Sequence, residues 1–200
     1  MAIIVFLPFA ANLTAIAGYI GLDPPLSRFR NQNVLSCGGV GMVDVGDDAP
    51  RFTASLAHDG IEPFDLESHL GDGPIVLAFY PAAFSNTCTT EVCTLRDGLG
   101  RFEDVDATVF GVSTDLPHAQ DVFRAKHDLP FGLIADPDHH AIEAYDVVDD
   151  AFEPRGVEVV ARRAVFVIDS DGVIRYRWLA EHPGKEPDYD AVVEAVADAA

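Results

Sequence analysis

The stretch Ile75 to Asp97, IVLAFYPAAFSNTCTTEVCTLRD, constrains the fold more than any other part of the chain. Its first six residues, Ile75 to Tyr80, are an unbroken apolar run of strand length and β-rich composition. Pro81 stops the run, and Ala82 to Thr87 read as a short turn. From Cys88 onward, the 3–4 spacing of Val92, Leu95 and Leu99 predicts a helix. Cys88 is thereby placed where a strand has ended and a helix begins. Unpaired backbone N–H groups and the helix dipole favour an anion there. The thiolate is such an anion and is the nucleophilic form of cysteine, so Cys88 reads as an activated thiol.

Around this unit the pattern from Met42 onward is that of one α/β domain. Strands are expected at Phe52 to Ala57, Ile75 to Tyr80, Thr108 to Ser113, Leu133-Ile134, Val157 to Ala161 and Val165 to Ile168. Asp171-Gly172 reads as a hairpin turn into a last strand, Val173 to Trp178. Helices are expected from Pro117 to about His127, with proline at the first turn, from Asp136 to Tyr145, and from Tyr189 to Ala199. Asp65 to Leu70 is a short stretch of helical character, closed by Gly71-Asp72-Gly73-Pro74. Strands alternating with helices and then a terminal hairpin and helix imply a central mixed sheet flanked by helices on both faces.

Charge separates the first 41 residues from the rest. The chain holds 33 acidic and 13 basic residues, a formal net charge of −20. Residues 1–41 contribute only Asp23, Arg28 and Arg30, which leaves 32 acidic and 11 basic residues for 42–200. Such an acidic surface, carrying only Lys126 and Lys185 as lysines, resembles that of salt-accumulating halophiles, where ionic strength screens self-repulsion. It argues against nucleic acid and anionic membranes as partners. Three cysteines without a regular framework argue against a disulfide scaffold and for a reducing compartment, which points to the cytoplasm. Three readings of residues 1–41 stand side by side: translation starting at Met42, a membrane or export segment built on the apolar Met1 to Leu22, and a structural arm. Under the second reading the domain is tethered or exported. Cys37 falls in this segment and reads as an incidental thiol.

The residues around Cys88 form a motif. Pro81-Ala-Ala-Phe-Ser85-Asn-Thr-Cys88 resembles the active-site pattern of the peroxiredoxins, the alkyl hydroperoxide reductase and thiol-specific antioxidant family: proline, three residues, threonine or serine, two residues, and the peroxidatic cysteine. Arg163, in RAVFVIDSDGVIRY, is similar to the family's active-site arginine at the start of a late strand. Glu91, in CTTE, is similar to the carboxylate often found three residues after the cysteine. The resemblance runs from about Val45 to Ala197. Serine at position 85, where the family usually has threonine, keeps the hydroxyl.

The resemblance implies a thioredoxin-like fold and a thiol peroxidase acting on hydrogen peroxide and small organic hydroperoxides. In this reading Cys88 attacks the peroxide and becomes a sulfenic acid. Arg163 favours the thiolate as a nearby cation and stabilises the polarised O–O bond. The Ser85 hydroxyl and the backbone N–H groups of the helix start hold the peroxide in line, Pro81 walls off water, and Glu91 supports. No metal, flavin or haem is implied. Electrons come from a thioredoxin-like or other small thiol protein, and a homodimer fits the family.

Cys93 has two readings. The spacing of Cys88 and Cys93 resembles a subset of the bacterioferritin-comigratory type, in which the resolving cysteine lies on the same helix. Five helical positions amount to about 7.5 Å of rise and about 140° of rotation. A disulfide wants Cα atoms roughly 4.4–6.8 Å apart, so resolution requires the first turn to unwind. Alternatively Cys93 is a small buried helix residue, and an outside thiol attacks Cys88 in a one-cysteine cycle. A reading from another class is a peroxide-responsive sensor or holdase that uses the same thiol as a switch. Arg162 competes with Arg163, although strand alternation sends the two to opposite faces. Arg96 is expected to be a surface partner of an acidic residue rather than a second cation beside Cys88.

Overall fold

The structure is a computed structural model and describes residues 43–103 and 106–200. The expectations for residues 1–41, Cys37 included, lie outside the described residues. In chain order the elements are β1 (Thr53–Ala57), β2 (Ile61–Asp65), β3 (Ile75–Phe79), α1 (Asn86–Asp97), α2 (Gly100–Glu103), β4 (Thr108–Ser113), α3 (Pro117–Lys126), β5 (Gly132–Ala135), α4 (His140–Ala144), β6 (Val148–Asp149), β7 (Val160–Ala161), β8 (Ala164–Ile168), β9 (Ile174–Leu179) and α5 (Tyr189–Ala199). Short 3-10 turns lie at Leu66–His69 and Glu153–Arg155.

Seven strands form one sheet in the order β2-β1-β5-β4-β3-β8-β9, and β6 pairs with β7 apart from it. β3, β4 and β5 run parallel in the middle, with β1 antiparallel to β5 and β8 antiparallel to β3. The sheet is therefore mixed, as the sequence implied. All five residues of β3 are buried, because alternate side chains enter two cores. Ile75, Leu77 and Phe79 join Phe110, Tyr145 and Phe166 on one face. Val76 and Ala78, with Tyr80 just beyond the strand, join Val92 and Leu95 of α1, Phe123 of α3, and Val192 and Val196 of α5 on the other. Helices do flank both faces, but unequally: α1, α2, α3 and α5 cover one, while α4 and the β6–β7 ribbon cover the other.

Several local expectations need correcting. α1 begins at Asn86, two residues before Cys88. β2 and α2 were not expected; Ile61–Asp65 pairs in register with β1 even though it contains Pro63, a placement open to an edge strand. The helix expected over Asp136 to Tyr145 is only His140–Ala144, because the Asp136 carboxylate accepts from the N–H groups of Ala141 and Ile142 (2.9 and 3.0 Å) and so precedes the helix. The strand expected at Val157 to Ala161 shrinks to Val160–Ala161. The hairpin after β8 forms as read, with Gly172 at φ +83. Burial would raise the Asp169 carboxyl, but hydrogen bonds from Val173 N–H, Arg175 and Asp171 N–H outweigh it and hold the group below its ordinary value.

Gly111 of β4 shows how tightly the sheet meets the segment after β3. A Cβ at this position would lie 2.7 Å from Leu133 Cδ2 and 3.0 Å from Tyr80 Cε1, so glycine lets the Tyr80 ring rest against β4. Among the described residues, no helix is long and apolar enough to cross a membrane.

Candidate active site

β3 delivers the chain to the carboxyl ends of the central parallel strands, where open α/β sheets place their sites. Pairing with β4 continues one residue past β3, through Tyr80 N–H to Val112 O at 2.9 Å. Pro81, which is buried and has no N–H to donate, ends it. The chain then turns through Phe84, held at φ +62, into Ser85, the N-cap position of α1. The Ser85 hydroxyl does not cap the helix; it donates to Ala82 O at 3.0 Å. The first backbone bond of α1 joins Thr89 N–H to Ser85 O at 2.9 Å. Cys88 thus sits third in the first turn, among the N–H groups that have no intrahelical carbonyl to reach.

The Cys88 side chain is 1% exposed, and its Sγ accepts from Arg163 Nη2 at 3.3 Å. Arg163 stands immediately before β8, on the strand antiparallel to β3, so the sheet register carries it back across the sheet to the thiol. Its Nη1 donates to Glu91 Oε2, while Nε and Nη2 donate to Pro183 O at 3.2 and 3.0 Å. Glu91 is three residues after Cys88 and so shares its helix face. Glu91 and Arg163 are 0% and 1% exposed, and Glu91 Oε1 has no hydrogen-bond partner. One buried guanidinium therefore faces two groups that can be negative, the thiolate and the carboxylate. Their attraction to Arg163 is strong because water does not screen it.

A cavity of about 260 Å³ opens onto this group, lined by Pro81, Ser85, Cys88 and Arg163 together with Phe152 and Pro183. The structure thus brings together Pro81, Ser85, Cys88, Glu91 and Arg163. A larger cavity of about 330 Å³, between Leu56, Leu99 and Phe131, contains none of them.

Cys93 does not join the cavity. It is half-buried, with its Sγ 4.0 Å from Nδ1 of His127 at the end of α3. α1 is unbroken through both cysteines, and both thiols are free. Arg162 points elsewhere than Arg163, its Nε and Nη2 donating to Ala180 O at 2.9 and 2.6 Å. Arg96 pairs with Asp97 at 2.8 Å and donates to His127 O at 2.7 Å, the surface role expected of it. Among the described residues, no three His, Cys, Asp or Glu gather as a metal site.

Behind the loop lies a polar chain that sequence reasoning missed. Tyr80 donates its hydroxyl to Gln120 Oε1 at 2.5 Å, Gln120 Nε2 donates to Ser113 Oγ at 2.6 Å, and Ser113 donates to Asp115 Oδ2 at 2.8 Å. The same Asp115 oxygen accepts the N–H of Ala83, in the loop before α1, at 2.7 Å. Burial pushes the Tyr80 phenol above its ordinary range, so it stays a donor. The available signal was Ser113-Thr-Asp115 at the end of an expected strand, which the structure shows to be parallel to its neighbours.

The sequence profile of the AhpC/TSA family matches residues 45–177. Peroxiredoxin Bcp of Bacillus subtilis is 36% identical over 140 residues, covering 68% of this chain and 85% of that protein. Peroxiredoxin Bcp of Escherichia coli K12 is 32% identical over 153 residues, covering 68% and 96%. Among solved structures, peroxidoxin BcpB of Mycobacterium tuberculosis superposes with a TM-score of 0.68 at 28% identity, covering 78% of this chain and 97% of that one.

Proposed function

The chain belongs to the AhpC/TSA family and is a thiol-dependent peroxidase with a thioredoxin-like fold, and on that premise we propose the role of each residue at the site. Cys88 is the nucleophile. Its thiolate attacks one oxygen of the peroxide, the O–O bond breaks, and the other oxygen leaves as water or alcohol after taking a proton. Cys88 is left as a sulfenic acid. The observation that carries this assignment is Arg163 Nη2 at 3.3 Å from Sγ, which places a fixed positive charge where the thiolate and the leaving oxygen both need one. Glu91 holds Arg163 in that orientation. Pro81 keeps the thiol dry, and the Ser85 hydroxyl, on the cavity wall, turns toward the bound peroxide.

Cys93 resolves the sulfenic acid once the first turn of α1 unwinds: its sulfur attacks Cys88, a disulfide forms, and water leaves. A thioredoxin-like or other small thiol protein then reduces the disulfide. The substrates are hydrogen peroxide and small organic hydroperoxides. The working enzyme is cytoplasmic, forms a homodimer, and uses the domain at residues 42–200, with residues 1–41 as an extension outside it. Its acidic surface is an adaptation to high salt.

Intact mass after one equivalent of hydrogen peroxide tests the cycle. A disulfide lowers the mass by about 2 Da and a sulfenic acid raises it by about 16 Da. The expected result is a loss that is absent in both Cys88→Ser and Cys93→Ser. A gain that depends on Cys88 alone would replace this cycle with the one-cysteine version. Oxidation without sustained turnover in the presence of reductant would indicate a sensor.

A further inference from the structure

The loop before α1 is fastened at one point by a side chain that the chemistry does not use. Asp115, in the turn between β4 and α3, accepts Ala83 N–H at 2.7 Å. Its carboxylate is itself fixed by Ser113, which is 0% exposed, and through it by Gln120 and Tyr80. The anchor is thus tied to β4 and α3, neither of which has to move during the reaction. The next residue, Phe84, is held in the left-handed region at φ +62, where a bulky side chain is strained. The residue is 45% exposed, and its ring rests on Phe123 of α3 with centroids 4.9 Å apart. A strained residue stays in place only while its surroundings hold it; Lys126 Nζ lies 5.3 Å from the ring centroid, and the Asp115 bond, one residue earlier, is the hydrogen bond that ties this part of the loop to the turn after β4. Ser85 and the first turn of α1, which carries Cys88, follow directly.

We infer that Asp115 is a positioning residue that latches this loop and thereby sets how often the first turn of α1 opens. With the latch closed, Cys88 stays beside Arg163, ready for peroxide. With it open, Cys88 leaves that place and comes within reach of a second thiol. The sulfenic acid then has two fates. Either the Cys93 thiol attacks its sulfur, forming the S–S bond and releasing water, or a second peroxide transfers an oxygen to it, giving the sulfinic acid and water. The first fate needs the open latch and the second the closed one, so Asp115 sets the balance between recycling and inactivation. This last consequence rests on Cys93 as the resolving thiol; the latch itself does not.

Amide hydrogen exchange of the reduced protein measures the latch without any contribution from Cys93. In Asp115→Ala, exchange across residues 82–90 is expected to quicken about tenfold, the effect of losing one buried hydrogen bond, while residues 75–79 of the preceding strand stay as in the wild type. Asp115→Asn keeps an oxygen for both Ala83 N–H and Ser113, and is expected to restore slow exchange. Ser113→Ala, which loosens the carboxylate without removing it, is expected to fall between them and serves if Asp115→Ala does not fold. Wild-type exchange in Asp115→Ala would overturn the inference. So would equal acceleration in the Ala and Asn variants, or acceleration spread evenly over the sheet.

Peroxide chemistry provides the second readout. Asp115→Ala is expected to react with peroxide more slowly yet accumulate less sulfinic acid per turnover, and Asp115→Asn to reverse both changes. If the wild type forms no Cys88–Cys93 disulfide, the resolving role fails while the exchange result still decides the latch. More sulfinic acid in Asp115→Ala than in a wild type that does form the disulfide would overturn the claim about balance.

Discussion

Arg163 and Glu91 are both fully buried, and each is the other's counter-charge. Removing one partner of such a pair strands the other charge in a dry interior, whereas replacing both by apolar groups is often close to neutral. Arg163→Met is therefore expected to slow the reaction of Cys88 with peroxide by about 10²–10³-fold, the usual effect of deleting one preorganised donor. It should also lower unfolding stability by about 3–5 kcal/mol. In the double variant Arg163→Met/Glu91→Leu, most of the stability should return and none of the rate. Urea unfolding and stopped-flow peroxide kinetics on the three proteins check this; rate and stability recovering together would mean that Arg163 acts only through folding. The cluster was legible in the sequence because Pro81, Ser85, Cys88 and Glu91 keep fixed local spacings and Arg163 begins a recognisable strand. Asp115, Gln120 and the Pro183 carbonyl were not. Each reaches the site through a turn or a neighbouring helix, no spacing relates it to Cys88, and a backbone carbonyl leaves no trace in residue identity.

At the scale of elements, α1 has to satisfy two demands. It must hold Cys88 at a helix start, and it must open if Cys93 is to reach it. Its composition suits this compromise: Thr87, Thr89, Thr90 and Thr94 are weak helix formers for an interior position. Thr90 and Thr94 further divert their hydroxyls to the carbonyls of Asn86 and Thr90, at 3.1 and 2.9 Å, a bond that slightly destabilises helices. Thr90 is exposed and touches nothing in the cavity. Thr90→Ala should therefore strengthen the first turn by about 0.5 kcal/mol, slow disulfide formation about twofold, and leave the rate of sulfenic acid formation unchanged. Quenched-flow mass spectrometry separates the two steps, and a faster disulfide step would mean that opening of this turn does not limit resolution. Sequence reading foresaw the strand, the turn and the helix in order but began the helix at Cys88, because Asn86 and Thr87 look like turn residues. It also missed β2, where Pro63 argues against a strand, although as the edge of the sheet that position has no neighbour waiting for its N–H.

Across the whole molecule the dominant fact is a formal charge of −20 spread over a normal core. All six ion pairs among the described residues use arginine, and five of them involve an exposed or partly exposed side chain worth little on its own. Most carboxylates therefore face one another through solvent, and their repulsion opposes the compact state. At 0.1 M salt the screening length is about 10 Å, long enough for neighbouring carboxylates to interact; at 1 M it is about 3 Å. The midpoint of thermal unfolding is therefore expected to rise by about 10 °C between 0.1 and 2 M potassium chloride, which corresponds to a few kcal/mol for a domain of this size. The peroxide step should not follow it. Hydrogen peroxide is uncharged, and Cys88 and Arg163 are themselves buried away from ions, so under the proposed mechanism its rate constant should stay level across the same salt range at temperatures where the protein is folded. Turnover driven by a thiol protein adds an encounter between two charged surfaces, and that step is expected to vary with salt. Stability rising with salt while the peroxide step stays constant would place the acidic surface in the service of folding and partner encounter. A peroxide rate that climbed with salt in the fully folded protein would instead tie the surface charge to the site itself.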